Sequence, residues 1–254
     1  MSKAAVVVQD LCFGYPRLPN LIKSLTFEVQ QGDIFAILGV NGCGKSTLID
    51  LLLGQKKPQS GSIEMAERCG FVPQKFSTAF DYTVEDIVLM GRATHVKTFS
   101  VPTTHDREAA DNALNALGIS DWKNRIFSEL SGGQQQLVLL SRALATESNT
   151  IVLDEPTSAL DLGNQNKVLT LLRDIAARTG LTIIFTTHQP NHTVAIANKV
   201  LLMDKDAYTS GRKEDVLTPE ALTKLFGMKI INMPLKTDNK LVDNFVPVFD
   251  VFYS

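Results

Sequence analysis

Gly39-Val40-Asn41-Gly42-Cys43-Gly44-Lys45-Ser46 fits the pattern G-x-x-x-x-G-K-[ST], and it constrains the fold more than any other stretch of the chain. It follows an all-apolar run, Ile34 to Leu38, and opens a run with helical spacing, Lys45 to Leu53. A strand, a glycine-rich turn and a helix in that order form a phosphate-binding loop. The glycines let backbone N–H groups turn inward around phosphate oxygens, and the helix N-terminus adds partial positive charge. Gly39, Asn41, Gly42, Cys43, Gly44, Lys45, Ser46 and Thr47 are therefore candidate nucleotide contacts. Lys45 would reach the β- and γ-phosphates, and the Ser46 hydroxyl would ligate Mg2+. The bland alternative is a Gly-rich turn with a surface lysine, which leaves the flanking strand and helix as coincidence. Cys43, at a helix N-terminus beside Lys45, is expected to have a lowered thiol pKa and raised reactivity.

Around this loop the first third of the chain reads as short apolar strands: Ala5 to Val8, Leu25 to Val29, Ser62 to Met65 and Gly70 to Pro73. From Thr83 the period becomes helical, with Val84, Ile87, Val88 and Gly91, then Ala109, Ala110, Ala113, Leu114 and Leu117. Strand and helix then alternate through Thr150–Leu153, Asn164–Arg178, Leu181–Thr186 and Lys199–Met203, the βαβ pattern of a parallel sheet. A helix over Pro219–Phe226 is followed by two runs, Lys229–Leu235 and Leu241–Phe249, that suggest a terminal hairpin. The expected fold is α/β, one domain over 1–254. It has a P-loop core at about 1–76 and 146–227 with an antiparallel N-terminal part, a helical insertion at about 77–145 and a hairpin extension at about 228–254. There is no internal repeat and no linker that would divide it.

Composition excludes several classes. Net charge is −2 with acids and bases interspersed, which argues against a phosphate-tracking face for nucleic acid. The three cysteines, Cys12, Cys43 and Cys69, are too few and too unpatterned for a disulfide framework or a cysteine-rich zinc site, and fit a reducing, cytoplasmic setting. The N-terminal apolar run meets an acid too soon for a signal peptide or a membrane span. His95, His105 and His192 form no metal-ligand spacing and read as surface residues.

Thr150-Ile151-Val152-Leu153-Asp154-Glu155 is an apolar strand ending in two carboxylates, at the sheet edge where open α/β folds bind ligands. Asp154 would hold Mg2+ directly or through water, and Glu155 would orient and polarise the attacking water. Leu130-Ser131-Gly132-Gly133-Gln134 precedes a helical run from Gln135 to Ala145 and forms a second glycine-rich helix start. One phosphate chain should not need two such sites.

The set of a P-loop, Leu-Ser-Gly-Gly-Gln and an apolar strand closing in Asp-Glu resembles the ABC ATPase family over about residues 4 to 249. The resemblance implies a homodimer in which Ser131, Gly132, Gly133 and Gln134 of one chain close on ATP held by the P-loop of the other. It implies that Tyr15 stacks on adenine and that Gln74 joins the Mg2+ and water region to the helical insertion. Asp161 would lie in a loop crossing the dimer interface, and His188 would contact the γ-phosphate. Catalysis would then rest on Glu155, His188 and Gln74, with Ser46, Gln74 and Asp154 around the metal. One departure is Gln134-Gln135-Gln136, where family members often carry a basic residue after the signature.

Asp81 to Arg92 is similar to the segment after the glutamine loop in importers of metal chelates, vitamin B12 and oxyanions, and the terminal hairpin and Thr187-His188-Gln189-Pro190-Asn191 resemble the molybdate/tungstate members. That class implies a transport-coupled ATPase at the cytoplasmic face of the inner membrane, with an integral membrane permease and, indirectly, a substrate-binding protein as partners. The rival is a soluble ABC ATPase of repair, translation or Fe–S assembly. A single P-loop and the absence of sustained heptads argue against its repair and translation forms. Phe76, Phe80 and Tyr82 cluster after Gln74, and some of these rings are expected to be exposed as a permease docking surface.

Overall fold

The computed structural model describes residues 3–96, 100–205, 207–238, 240–249 and 251. The chain forms two compact units, one made of Met1–Ala66 with Thr182–Ser254 and the other of Glu67–Leu181.

The first unit opens with two long antiparallel strands, β1 (Ala4–Tyr15) and β2 (Leu18–Gln30), followed by β3 (Ile34–Leu38), α1 (Lys45–Leu52) and β4 (Ser60–Met65). β1 is central in a three-stranded sheet, between β2 and β4. Both hairpin strands outrun the apolar stretches that mark them in the sequence, because exposed Gln9 and Asp10 interrupt β1 and exposed residues Leu18 to Asn20 open β2, followed by the exposed pair Lys23 and Ser24. β3 has all five side chains buried, as expected of a strand covered on both faces.

In the second unit, β5 (Gly70–Val72) precedes three helices, α2 (Val84–Leu89), α3 (Thr104–Ala116) and α4 (Gly132–Leu144). β6 (Thr150–Leu153) and α5 (Leu162–Thr179) complete it. β5 and β6 pair in parallel with Val72 opposite Leu153. α2, α3 and α4 pack on one another, and Ile87, Val88, Ala110, Leu114, Val138 and Leu140 on them are all buried. Each of these helices starts with a reciprocal cap: Thr83 with Asp86, Thr103 with Asp106, and Ser131 with Gln134. Such pairs satisfy backbone donors that helix starts otherwise leave open.

Arg92 is 1% exposed inside this unit. Its guanidinium donates to Asp106 Oδ1 at 3.0 Å, to the Ala145 carbonyl at 2.9 Å and to Glu147 Oε2 at 2.7 Å. Bonds from the Thr103 hydroxyl and backbone N–H, with Arg92 beside them, hold the Asp106 carboxyl down at about 2.

The chain then returns to the first unit with β7 (Thr182–Thr187), α6 (Pro190–Ile196), β8 (Lys199–Met203) and β9 (Tyr208–Arg212). β7, β3 and β8 run in parallel and β9 closes antiparallel on β8. Two helices follow, α7 (Lys213–Val216) and α8 (Pro219–Phe226), then β10 (Ile230–Asn232), β11 (Leu235–Lys236), β12 (Leu241–Val242) and β13 (Phe245–Pro247). β10 pairs with β13 and β11 with β12, both antiparallel. Asn239, in the turn read between the two runs, lies outside the described residues. Among the described residues no helix is long and apolar enough to cross a membrane.

Candidate functional site

The P-loop sits where β3 gives way to α1. Gly44 is the N-cap of α1 at φ 107°, and Gly42 has φ 80°, left-handed conformations that a residue with a Cβ adopts only under strain. The Lys45 ammonium, 6% exposed, folds back over the loop and donates to the carbonyls of Gly39 at 3.0 Å and Val40 at 3.2 Å. Ser46, Asn41 and Gly42 are exposed. Parallel pairing of β3 with β7 sets Leu38 opposite Thr187, and the Gly39 N–H donates to the Thr187 carbonyl at 3.2 Å. His188 therefore lies beside the first residue of the loop.

Tyr15, at the end of β1, reaches the same place. Its hydroxyl is 3.2 Å from Thr47 Oγ1, its ring packs edge-on against Phe13, and 37% of the residue remains exposed. An aromatic face beside the loop is a suitable platform for a base.

Two expectations fail in this unit. Cys43 is not a reactive thiol but a buried one, 2% exposed, and burial pushes its pKa up despite the nearby Lys45 charge. A Cβ on Gly39 would lie 2.6 Å from the Cys43 sulfur, so these two residues pack directly on each other. His192 is 8% exposed rather than on the surface, and burial, with His188 nearby, lowers its pKa. His95 and His105 are exposed.

The second unit carries the acids and the Leu-Ser-Gly-Gly-Gln segment. β6 delivers Asp154, 7% exposed, whose N–H donates to the Val72 carbonyl at 2.9 Å, and then Glu155. Glu155 has φ 47°, a left-handed backbone rare for a non-glycine residue and often found at functional sites. Gln74, two residues past β5, donates from Nε2 to Glu155 Oε2 at 3.1 Å, so the register of β5 on β6 brings these residues together. Arg142 of α4 steadies the Gln74 segment, donating to the Phe71 carbonyl at 3.2 Å and lying 4.6 Å over the Phe76 ring.

Ser131 is the N-cap of α4. Its Oγ accepts from the Gln134 N–H at 3.4 Å, while its own N–H donates to Gln134 Oε1 at 3.0 Å. The helix starts at Gly132, three residues earlier than its apolar pattern. Ser131 and Gly132 are exposed. Asp161 is exposed and caps α5, and the Asn164 N–H it accepts holds its carboxyl below the ordinary range. Between these elements lies a cavity of about 370 Å3 lined by Gln74, Phe76, Gly132, Gln136, Glu155 and Ala159. The Gln136 amide nitrogen is buried without a hydrogen-bond partner. Gln135 donates to the Phe127 carbonyl at 3.2 Å.

Of the three clustered aromatics, Phe80 is 72% exposed and meets Tyr82 edge-on, whereas Phe76 packs on Phe127 and Arg142. Among the described residues no group of three His, Cys, Asp or Glu converges as a metal cluster.

Residues 22–158 match the model of the ABC transporter family. The molybdate import ATP-binding protein MolC of Haemophilus influenzae is 49% identical over 249 residues, covering 98% of each chain. The manganese transport system ATP-binding protein MntB of Halalkalibacterium halodurans is 32% identical over 87% of this chain and 92% of its own. Among solved structures, a chain of an inward-facing ABC transporter assigned to the metal-chelate type superposes with a TM-score of 0.94 at 48% identity, covering 98% of this chain and 99% of that one.

Proposed function

Because the chain belongs to the ABC transporter family, we propose that it hydrolyses ATP to drive uptake of a metal chelate or oxyanion through a separate membrane permease, molybdate or tungstate being the favoured cargo. It is the ATP-binding subunit of an ABC importer, an ATPase coupled to transport. The similarity to MolC over the whole chain supports the choice of cargo over iron chelate or vitamin B12.

The hydrolytic reading rests above all on Glu155: a carboxylate at the end of a buried strand, aimed by a left-handed backbone and held by the Gln74 amide. In the proposed assignment, Gly39, Asn41, Gly42, Cys43, Gly44 and Thr47 shape the phosphate cradle through their backbone, Lys45 neutralises the β- and γ-phosphates, and Tyr15 stacks on adenine. Glu155 polarises the attacking water, Gln74 positions Glu155, and His188 contacts the γ-phosphate. The donors that Ser46, Asp154 and Gln74 would offer to Mg2+ are oxygens, which suits a hard cation that shares its ligands with phosphates and water. Bound there, Mg2+ would neutralise charge on the transferring phosphoryl group.

Ser131, Gly132, Gly133, Gln134 and Asp161 serve the nucleotide held by the P-loop of a second copy, so each of two sites is shared. A substrate-binding protein on the far side of the membrane completes the system, and the chain itself works from the cytoplasmic face. Glu155→Gln keeps the shape and loses the charge. It should leave ATP binding in place and lower turnover by about 100-fold or more. Binding is read by a fluorescent ATP analogue and turnover by phosphate release, and near-native turnover would remove Glu155 from this role.

A further inference from the structure

Asn164, in the first turn of α5, is held by the carboxylate that caps that helix. Asp161 Oδ1 accepts its backbone N–H at 2.8 Å, and Asp161 Oδ2 accepts its side-chain Nδ2 at 2.8 Å. The amide plane is thereby fixed in orientation. It lies against the second glycine of the signature: a Cβ on Gly133 would come 2.9 Å from Asn164 Cγ, 3.1 Å from Nδ2 and 3.3 Å from Cβ. The 2.9 Å contact is one that real Cβ atoms essentially never make, so any side chain at 133 would force Asn164 to shift out of its hold on Asp161. The rest of the loop is tied on its other side, where Gln165 Nε2 donates to the carbonyls of Thr157 at 3.3 Å and Leu160 at 2.9 Å.

We propose that Asn164 is a positioning residue that keys the start of α4 to Asp161, so that the two surfaces this chain offers to its partner's nucleotide keep one register. This rests on the shared-site reading given above. Asn164 touches no reacting atom; it acts through Gly133 on one side and Asp161 on the other. Its loss lets α4 and the Glu155–Asp161 loop shift independently, and displacements of this kind lower turnover with little effect on ATP capture by the P-loop across the interface.

The test uses whole transporter complexes containing two differently tagged copies of the full chain, one of which carries Lys45→Ala, so that a single competent P-loop remains. Asn164→Ala placed on the Lys45→Ala copy should lower turnover about tenfold while changing KM for ATP less than about twofold. Placed on the other copy it should lower turnover less than about twofold. Gly133→Ala should be impaired, and adding Asn164→Ala to it should restore part of the loss, because removing the amide frees the space that the new methyl needs.

Equal losses in both placements, no loss in either, or purely additive losses in the double variant would overturn the proposal. Ser131→Ala on the Lys45→Ala copy is the control. If it lowers turnover while Asn164→Ala there does not, the role of Asn164 alone fails. If it too is silent, the shared-site reading fails and the proposal falls with it.

Discussion

The backbone at Glu155 permits a measurement in which function and strain separate. With φ at 47°, the residue occupies the left-handed region, where a Cβ costs about 1–2 kcal/mol. Glu155→Ala and Glu155→Gly both delete the carboxylate and its bond to Gln74, so those losses cancel in the comparison. What remains is the relief of strain in the glycine variant, reduced by the extra freedom of glycine in the unfolded chain, about 0.4–1 kcal/mol. The glycine variant should therefore be more stable than the alanine variant by about 1 kcal/mol. In a chain of this size that is about 2–4 °C in Tm. Scanning calorimetry and denaturant midpoints at matched concentration read the difference, and both variants should be inactive. A glycine variant that melts with or below the alanine variant would show that residue 155 is not held left-handed, and with it would go the idea that backbone strain aims the carboxylate.

Phe80→Glu should leave folding and ATP binding intact, since the ring is 72% exposed, but should weaken copurification with the permease; an unfolded variant, or unchanged copurification, would move the docking surface elsewhere. Thiol alkylation of the native protein should be slow at Cys43 with or without Mg-ATP, because the sulfur is buried and its pKa is raised; fast labelling that ATP prevents would restore the reactive-thiol expectation. The Asp106 carboxyl sits below its unfolded value of 3.8, so its stabilising contribution is present above that pH and is lost as pH falls through about 2. Asp106→Asn should flatten that part of the acid-unfolding profile, and an unchanged slope would argue against the Arg92 and Thr103 bonds.

Strands buried on both faces were readable to the residue: Ile34–Leu38 is a continuous apolar run, and Thr150–Leu153 and Lys199–Met203 are apolar runs opened by one polar residue. Pro219–Phe226 was equally plain, with a capping threonine, a proline at its start and a glycine at its end. β9 was not readable, because Tyr208-Thr209-Ser210-Gly211-Arg212 is a polar edge strand whose place depends on hydrogen bonds to β8. His192 was misread because it stands in a polar run, Pro190 to Thr193, and only the packing of α6 decides which of those side chains turns inward. Cys43 went wrong for a related reason: charge nearby is visible in a sequence, whereas the desolvation that outweighs it is not. In the candidate site, glycine and acid spacing named Lys45, Glu155 and Ser131. Asn164 and Arg142 carry no such mark, since the glycine that Asn164 abuts and the carbonyl that Arg142 reaches lie tens of residues away.

Arg92 limits the mutational paths open to this chain. A guanidinium cannot shed its proton inside a protein, so its burial obliges the surrounding residues to keep supplying acceptors. Glu147 is one of them, and its φ of 54° is a conformation better suited to glycine or asparagine. The ion pair explains why a glutamate stands there at all. Positions 92 and 106, both buried, therefore cannot drift one at a time, whereas half-exposed Glu147 is the freer member. A lineage that loses the arginine first strands the Asp106 carboxylate with only its threonine cap, and one that loses Asp106 first leaves the buried cation to the Ala145 carbonyl and half-exposed Glu147. Related chains should then show either the Arg92–Asp106 pair or an apolar replacement of both, with intermediates rare.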